Sequence, residues 1–406
     1  MHPRTLAGWG GAVVAILLHA FVASADSPDA SLPPDRAVAL ALTAHPDLRA
    51  AEAALATARA ARSQSSLFLS NPSVTAWSTP SGSRADLGVS QPFSLTGEGW
   101  HARRGASLRV SSTESSRARA GRVLAAEVRT AYVDAVVATG VVGVALEGTE
   151  LAARLSFAVT RKHEEGEASA LDVRLARLAE VQAATRLLAA RRVEADALRR
   201  LSSLVMRPVD AGDLLDNPLL VVPPVEETVS AARSDVAAAE AALDAAEAEL
   251  RRARAGSIPP LSLGIGVEVE GGSSYVGPSI ALALPLFDRN QTGRASAGGA
   301  VEIAEGRLAE RRARAETERR TSRTRLAEAE SAAVVEGADL EEARSALASI
   351  EAGVLAGEID LSTAVLLQAQ VLQGEAAVVT LRGQLADARI DRLLALDDDA
   401  LLGGAR

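Results

Sequence analysis

The chain has 406 residues, 48% of them apolar by type, yet only three tryptophans, two tyrosines and five phenylalanines, and no cysteine. That excludes disulfides, thiolate metal sites, thiol nucleophiles and a lipidated cysteine anchor, and it points to cores built from alanine, valine and leucine between close helices. Lys+Arg number 43 against 52 Asp+Glu, a net charge of −9, which argues against a nucleic-acid partner; the single lysine, Lys162, reads as a trait of genome composition. At the N-terminus, Arg4, an apolar run from Ala12 to Val22 and Ala23-Ser24-Ala25 predict a signal peptide over residues 1–25, cleaved before Asp26. About 11 apolar residues are too few to span a ~30 Å hydrocarbon layer. No later stretch is expected to approach the ~20 apolar residues of a spanning helix, so membrane contact is expected through β-strands or a surface.

The rest is written twice. His45-Pro46-Asp47-Leu48-Arg49-Ala50-Ala51-Glu52-Ala53-Ala54-Leu55 returns, shifted by 188, as Arg233-Ser234-Asp235-Val236-Ala237-Ala238-Ala239-Glu240-Ala241-Ala242-Leu243. Gly166-Glu167 returns as Gly357-Glu358, and Gln91-Pro92-Phe93 has a counterpart in Leu284-Pro285-Leu286-Phe287. The order and near-constant spacing predict two repeats, 26–206 and 228–398, joined by a proline-rich linker, 207–227, and followed by a tail, 399–406. Each repeat opens with a helix, about Pro34 to Ser66 or Thr228 to Ala255. The second carries Val229, Val236, Leu243 and Leu250 at seven-residue intervals, a seam for close helix packing.

A β-hairpin follows in each, over 73–93 and 261–287. Leu261, Leu263, Ile265, Val267 and Val269 alternate with Ser262, Gly264, Gly266, Glu268 and Glu270, a ten-residue pattern that suits a transmembrane strand as well as a soluble amphipathic hairpin. The signal peptide and the scarcity of aromatics favour the membrane. Long helices come next, about Glu98 to His163 and Gly293 to Val354, ~98 and ~93 Å at 1.5 Å per residue. Return helices from Ala168 to Val205 and from Ile359 to Leu396 run ~57 Å each. A return helix stacked on a leading helix equals one long helix, so the expected fold is mainly α with a small β part, a rod of ~100 Å capped by strands. Four strands cannot close a barrel, and open edges are not tolerated in lipid. Several copies must share one barrel.

With Ala44-His45-Pro46-Asp47-Leu48, Asn71-Pro72, Gln91-Pro92-Phe93 and Pro285-Leu286-Phe287-Asp288-Arg289-Asn290-Gln291-Thr292-Gly293, the whole mature chain resembles the TolC-like outer-membrane efflux family. The last motif resembles its heavy-metal (CzcC-type) branch. The resemblance implies a homotrimer with a twelve-stranded barrel in the lipid of a Gram-negative outer membrane and a helical tunnel through the periplasm. It implies a passive duct for metal ions or small toxic compounds, working with a periplasmic membrane-fusion adaptor and an inner-membrane pump of the RND type. Adaptor docking would fall on the tips at Gly166, Glu167, Ser169, Gly357, Glu358 and Asp360, and tip closure on Asp172. Those residues also fit plain helix termination: glycine tolerates positive φ, and Ser169 and Asp360 stand at helix N-cap positions. The second repeat has Thr363 and Leu366 where a counterpart of Asp172 would be sought.

No nucleophile elbow, phosphate loop or catalytic pair is present, so no enzyme, cofactor or metal site is expected. His2, His19, His45, His101 and His163 form no i,i+4 pair. Gly264-Ile265-Gly266 lies inside an alternating strand, and the carboxylates of Glu302 to Glu330 alternate with arginines as on a solvated helix face. Type I protein secretion, general multidrug export and a periplasmic structural coiled coil remain as alternative functions.

Overall fold

A computed structural model describes residues 32–64, 71–80, 84–225, 233–334, 345, 349–350, 352–354, 356 and 358–403. The expected signal peptide, Val229 and Gly357 lie outside the described residues. The elements are α1 (Pro34–Ala44), α2 (Pro46–Gln64), β1 (Ser73–Ser78), β2 (Arg84–Phe93), α3 (Glu98–Glu164), α4 (Ala170–Val205), α5 (Ser234–Ala255), β3 (Leu261–Glu270), β4 (Ser273–Leu282), α6 (Gln291–Val334) and α7 (Leu361–Leu396).

The leading helix expected over Pro34 to Ser66 is two helices. Proline has no N–H to donate and its ring crowds the preceding turn; His45, before Pro46, is extended at φ −66°, ψ 133°. The linker is more ordered than a run of prolines suggests. Short 3₁₀ turns at Ala211–Asp213 and Pro218–Val221 bring Leu214 and Val221 into the main core, together with Val209 and Val222.

That core gathers the middle of α3 (Leu124 to Val136), α1, the end of α4 and the end of α7. Two polar side chains of α3 organise it. Arg129, 2% exposed, donates from Nε to the Leu401 carbonyl (3.0 Å) and from its terminal nitrogens to the Val221 carbonyl and the Asp35 carboxylate (both 2.5 Å). Tyr132 donates to the Leu32 carbonyl (2.7 Å) and accepts from the Leu215 N–H (3.1 Å). One helical turn of α3 thus ties the N-terminal segment, the linker and the C-terminal segment together. Beside it, Arg119 and Arg122 bind Asp397 (3.0 and 3.2 Å), and buried Arg233 binds Asp235 and Glu318 (2.6 Å each).

Further along, α3 packs between α4 and α7 with glycines at the closest approaches. A Cβ on Gly383 would lie 2.5 Å from Val137 Cγ2, and one on Gly140 would lie 2.9 Å from Val379 Cγ1. Small residues let the helices meet without aromatic side chains. This seam also corrects the expectation that no later helix is long and apolar enough to span: α3 and α7 both are, by length and composition. Valine, alanine and glycine placed for helix–helix contact meet the same compositional test as a membrane span.

Candidate functional site

Two regions at opposite ends of α3 are the candidates. At one end the strands form a single antiparallel sheet in the order β1-β2-β3-β4. Directly opposed residues share a face, and the register sorts the side chains cleanly. Val74, Leu87, Val89, Leu263, Ile265, Val267, Val276 and Ile280 lie on one face, all well exposed in the single chain. The other face carries Ser73, Thr75, Gly88, Ser90, Gly264, Gly266, Gly277 and Ser279, with charged residues towards the turns.

The sheet curves towards this second face. Along β2, Arg84, Asp86, Gly88 and Ser90 are half-buried while Ala85, Leu87 and Val89 are exposed, and β3 repeats the pattern. Gly264 sits where curvature leaves no room: its Cβ would lie 2.6 Å from both the Val89 carbonyl and Ser279 Oγ. Cross-strand polar contacts line the same face, Ser73 Oγ with Ser90 Oγ at 2.8 Å and Arg84 with Glu268. No further strand pairs with the outer edges of β1 and β4 among the described residues.

At the other end α3 closes in a Schellman motif. The Glu167 N–H donates to the Lys162 carbonyl (2.7 Å), the Gly166 N–H to the His163 carbonyl (3.0 Å), and Gly166 takes φ 83°. Ser169 is the N-cap of α4, in a capping box with Asp172: the Ser169 N–H and hydroxyl donate to the Asp172 carboxylate (2.9 and 2.7 Å), and the Asp172 N–H returns to Ser169 Oγ (3.2 Å). In the second turn, the Glu358 and Ile359 N–H groups both donate to the Gly353 carbonyl (2.8 and 3.2 Å), and Asp360 caps α7. Hydrogen bonds from the hydroxyl and N–H of Ser362 hold the Asp360 carboxyl below its ordinary range.

The two turns are neighbours. Leu155, Val159, Ala176, Ile350, Val354, Leu361 and Ala364 form one small core beneath them, and Lys162 Nζ donates to the Val354 carbonyl at 2.9 Å. The lone lysine, read from sequence as compositional, is therefore a tie between the two turns; its proximity to Val354 has no signature in a local motif. Gly166, Glu167, Ser169, Glu358 and Asp360 are exposed and Asp172 is half-buried. Among the described residues no group of His, Asp and Glu is placed to hold a metal ion.

At one end of the helices, then, lies an open four-stranded sheet with one apolar and one polar face. Residues 227–396 match the outer membrane efflux protein family. No curated protein matches the chain in sequence. In fold, the chain is similar to a membrane protein from Pseudomonas aeruginosa (20% identity, 89% of this chain and 90% of that one, TM-score 0.74). It is similar to the CmeC outer membrane channel of Campylobacter jejuni (17%, 90% and 85%, 0.73) and to the open state of the MtrE outer membrane channel of Neisseria gonorrhoeae (19%, 91% and 90%, 0.70). The family match lies in the second half of the chain, whereas the structural likenesses, in fold, cover about nine-tenths of it.

Proposed function

We propose that this chain is the outer-membrane channel of a tripartite efflux pump, a homotrimer that passively carries metal ions or small toxic compounds out of the cell. The observation that carries this reading is the four-stranded sheet. Its apolar face suits lipid, its polar concave face suits a water-filled lumen, and its two outer strands need neighbours before backbone groups can enter a bilayer. Three copies, the number the family resemblance supplies, would give twelve strands. β2, β3 and β4, of ten residues each and tilted as in known barrels, are long enough to span the ~25 Å apolar band of an outer membrane; β1 has six residues.

The distal tips then face the periplasm, where Gly166, Glu167, Ser169, Gly357, Glu358 and Asp360 would meet the adaptor and Asp172 would help to close the tunnel. Membrane fractionation followed by crosslinking tests the reading: it expects a trimer in the outer membrane, released by detergent. A soluble periplasmic monomer would overturn it in favour of a structural coiled-coil protein. Substrate is tested by deleting the gene and comparing tolerance to zinc, cobalt, copper and hydrophobic drugs. Loss of metal tolerance alone supports the heavy-metal reading; loss of drug tolerance alone supports multidrug export.

A further inference from the structure

The polar face of the sheet is uneven along its length. Successive cross-strand rows on that face, counted from the helical end, are Pro92–Ser262–Ala281, Ser73–Ser90–Gly264–Ser279 and Thr75–Gly88–Gly266–Gly277. All of these side chains are small or absent. The next row is Trp77–Asp86–Glu268–Tyr275, where every strand contributes a large aromatic or a carboxylate. Beyond it lie Arg84, Glu270 and Ser273 and then the turn at Gly271-Gly272.

We infer that the Trp77–Asp86–Glu268–Tyr275 row is the narrow outer mouth of the channel and that it favours cations over anions. The inference rests on the proposed shared barrel with this face inward. Twelve strands ~4.8 Å apart and tilted ~40° enclose a cylinder roughly 24 Å across. The glycine and serine rows leave that width open, whereas repetition of this row in each copy projects six aromatic rings and six carboxylates into it. Trp77 and Tyr275 are 56% and 62% exposed in the single chain, so no neighbouring side chain of the same copy fills the space before them. The charge is one-sided. Asp86, Glu268 and Glu270 stand against Arg84 alone, and Arg84 is drawn to Glu268. A low-dielectric wall lined by one sign of charge concentrates ions of the opposite sign, and the aromatic faces add attraction for organic cations.

The cysteine-free chain permits a direct test. Ser279→Cys places a thiol on the polar face beneath the row, and Ile280→Cys places one on the apolar face. Intact cells are treated from outside with positively and negatively charged methanethiosulfonates of similar size. The expected result is labelling of Ser279→Cys but not Ile280→Cys, with the cation faster than the anion by roughly tenfold after correction for a free thiol. Adding Asp86→Asn with Glu268→Gln should abolish that preference. Adding Trp77→Ala with Tyr275→Ala should instead speed both reagents and retain it. Equal labelling of the two positions would overturn the barrel reading and this inference together. Selective labelling of Ser279→Cys without a charge preference, or with one that the charge variants leave unmoved, would overturn the inference alone.

Discussion

Arg129 is the side chain on which the middle of the molecule turns. Its guanidinium satisfies two carbonyls from segments distant in sequence and pairs with Asp35. Methionine fills a similar volume but leaves the Val221 and Leu401 carbonyls without this donor in a buried place. Each such group costs about 1–3 kcal/mol, so Arg129→Met should destabilise the fold by about 3 kcal/mol, read as a lower unfolding temperature in detergent. Asp172 needs a finer pair of variants because it also completes the capping box with Ser169. Asp172→Ala removes both charge and cap, whereas Asp172→Asn keeps an acceptor for the Ser169 N–H and removes the charge alone. If its charge closes the tip, both variants raise single-channel conductance in planar bilayers. A rise with alanine only assigns the effect to the cap, and no rise with either removes Asp172 from closure.

At the scale of elements, the seam of α3, α4 and α7 and the charged cluster beside the core respond to pH in opposite directions. Burial, reinforced by the charges of Asp134 and Asp391, pushes the Asp387 carboxyl up to about 7, against the Thr130 hydrogen bond and the charge of Arg200. A carboxyl with a raised folded value stabilises most below its unfolded value, ~3.9, and that contribution is lost as pH rises through about 7. Burial would raise Asp397 as well, but hydrogen bonds from Ser234, the charge of Arg122 and a hydrogen bond from Arg119 outweigh it and hold that carboxyl low. Its contribution is present above the ordinary value and lost on acidification. Asp387→Asn should therefore raise the unfolding temperature at pH 8 and flatten its fall between pH 5 and 8, leaving the loss below ~pH 4 unchanged. In the same seam, Gly383→Val overpacks against Val137 and should cost about 1–3 kcal/mol, measured in the same way. The sequence made the elements legible where a period ran long: the alternation from Leu261 to Val269 and the Gly166 turn carry their geometry locally. It did not reveal the burial of Leu214 and Val221 from a proline-rich linker or the Lys162 tie to Val354, which depend on contacts between segments far apart in the chain that no local pattern encodes. The break at His45-Pro46 is different: its cause, the proline ring, is local, but the helical pattern runs across it on both sides.

At the scale of the molecule, the chain has an exposed apolar face where a soluble protein would bury one, and the sheet's two faces make different demands. Val267 and Ser262 lie on the same strand, one on the apolar face and one on the polar face. In lipid, arginine at a midplane position of the apolar face costs about 2–4 kcal/mol, while the lumen tolerates it. If the proposed shared barrel forms, Val267→Arg should reduce the amount of trimer recovered from the outer membrane, and Ser262→Arg should leave recovery unchanged while altering ion preference in bilayers. Quantitative blotting of outer-membrane fractions, with and without crosslinking, measures the first effect. A reversed order of tolerance would place the polar face outward, a packing that buries Arg84, Asp86, Glu268 and Glu270 against lipid tails without water. A channel cannot be built that way. The asymmetry between these two substitutions is thus the most direct test of whether several copies complete one another's sheet around water.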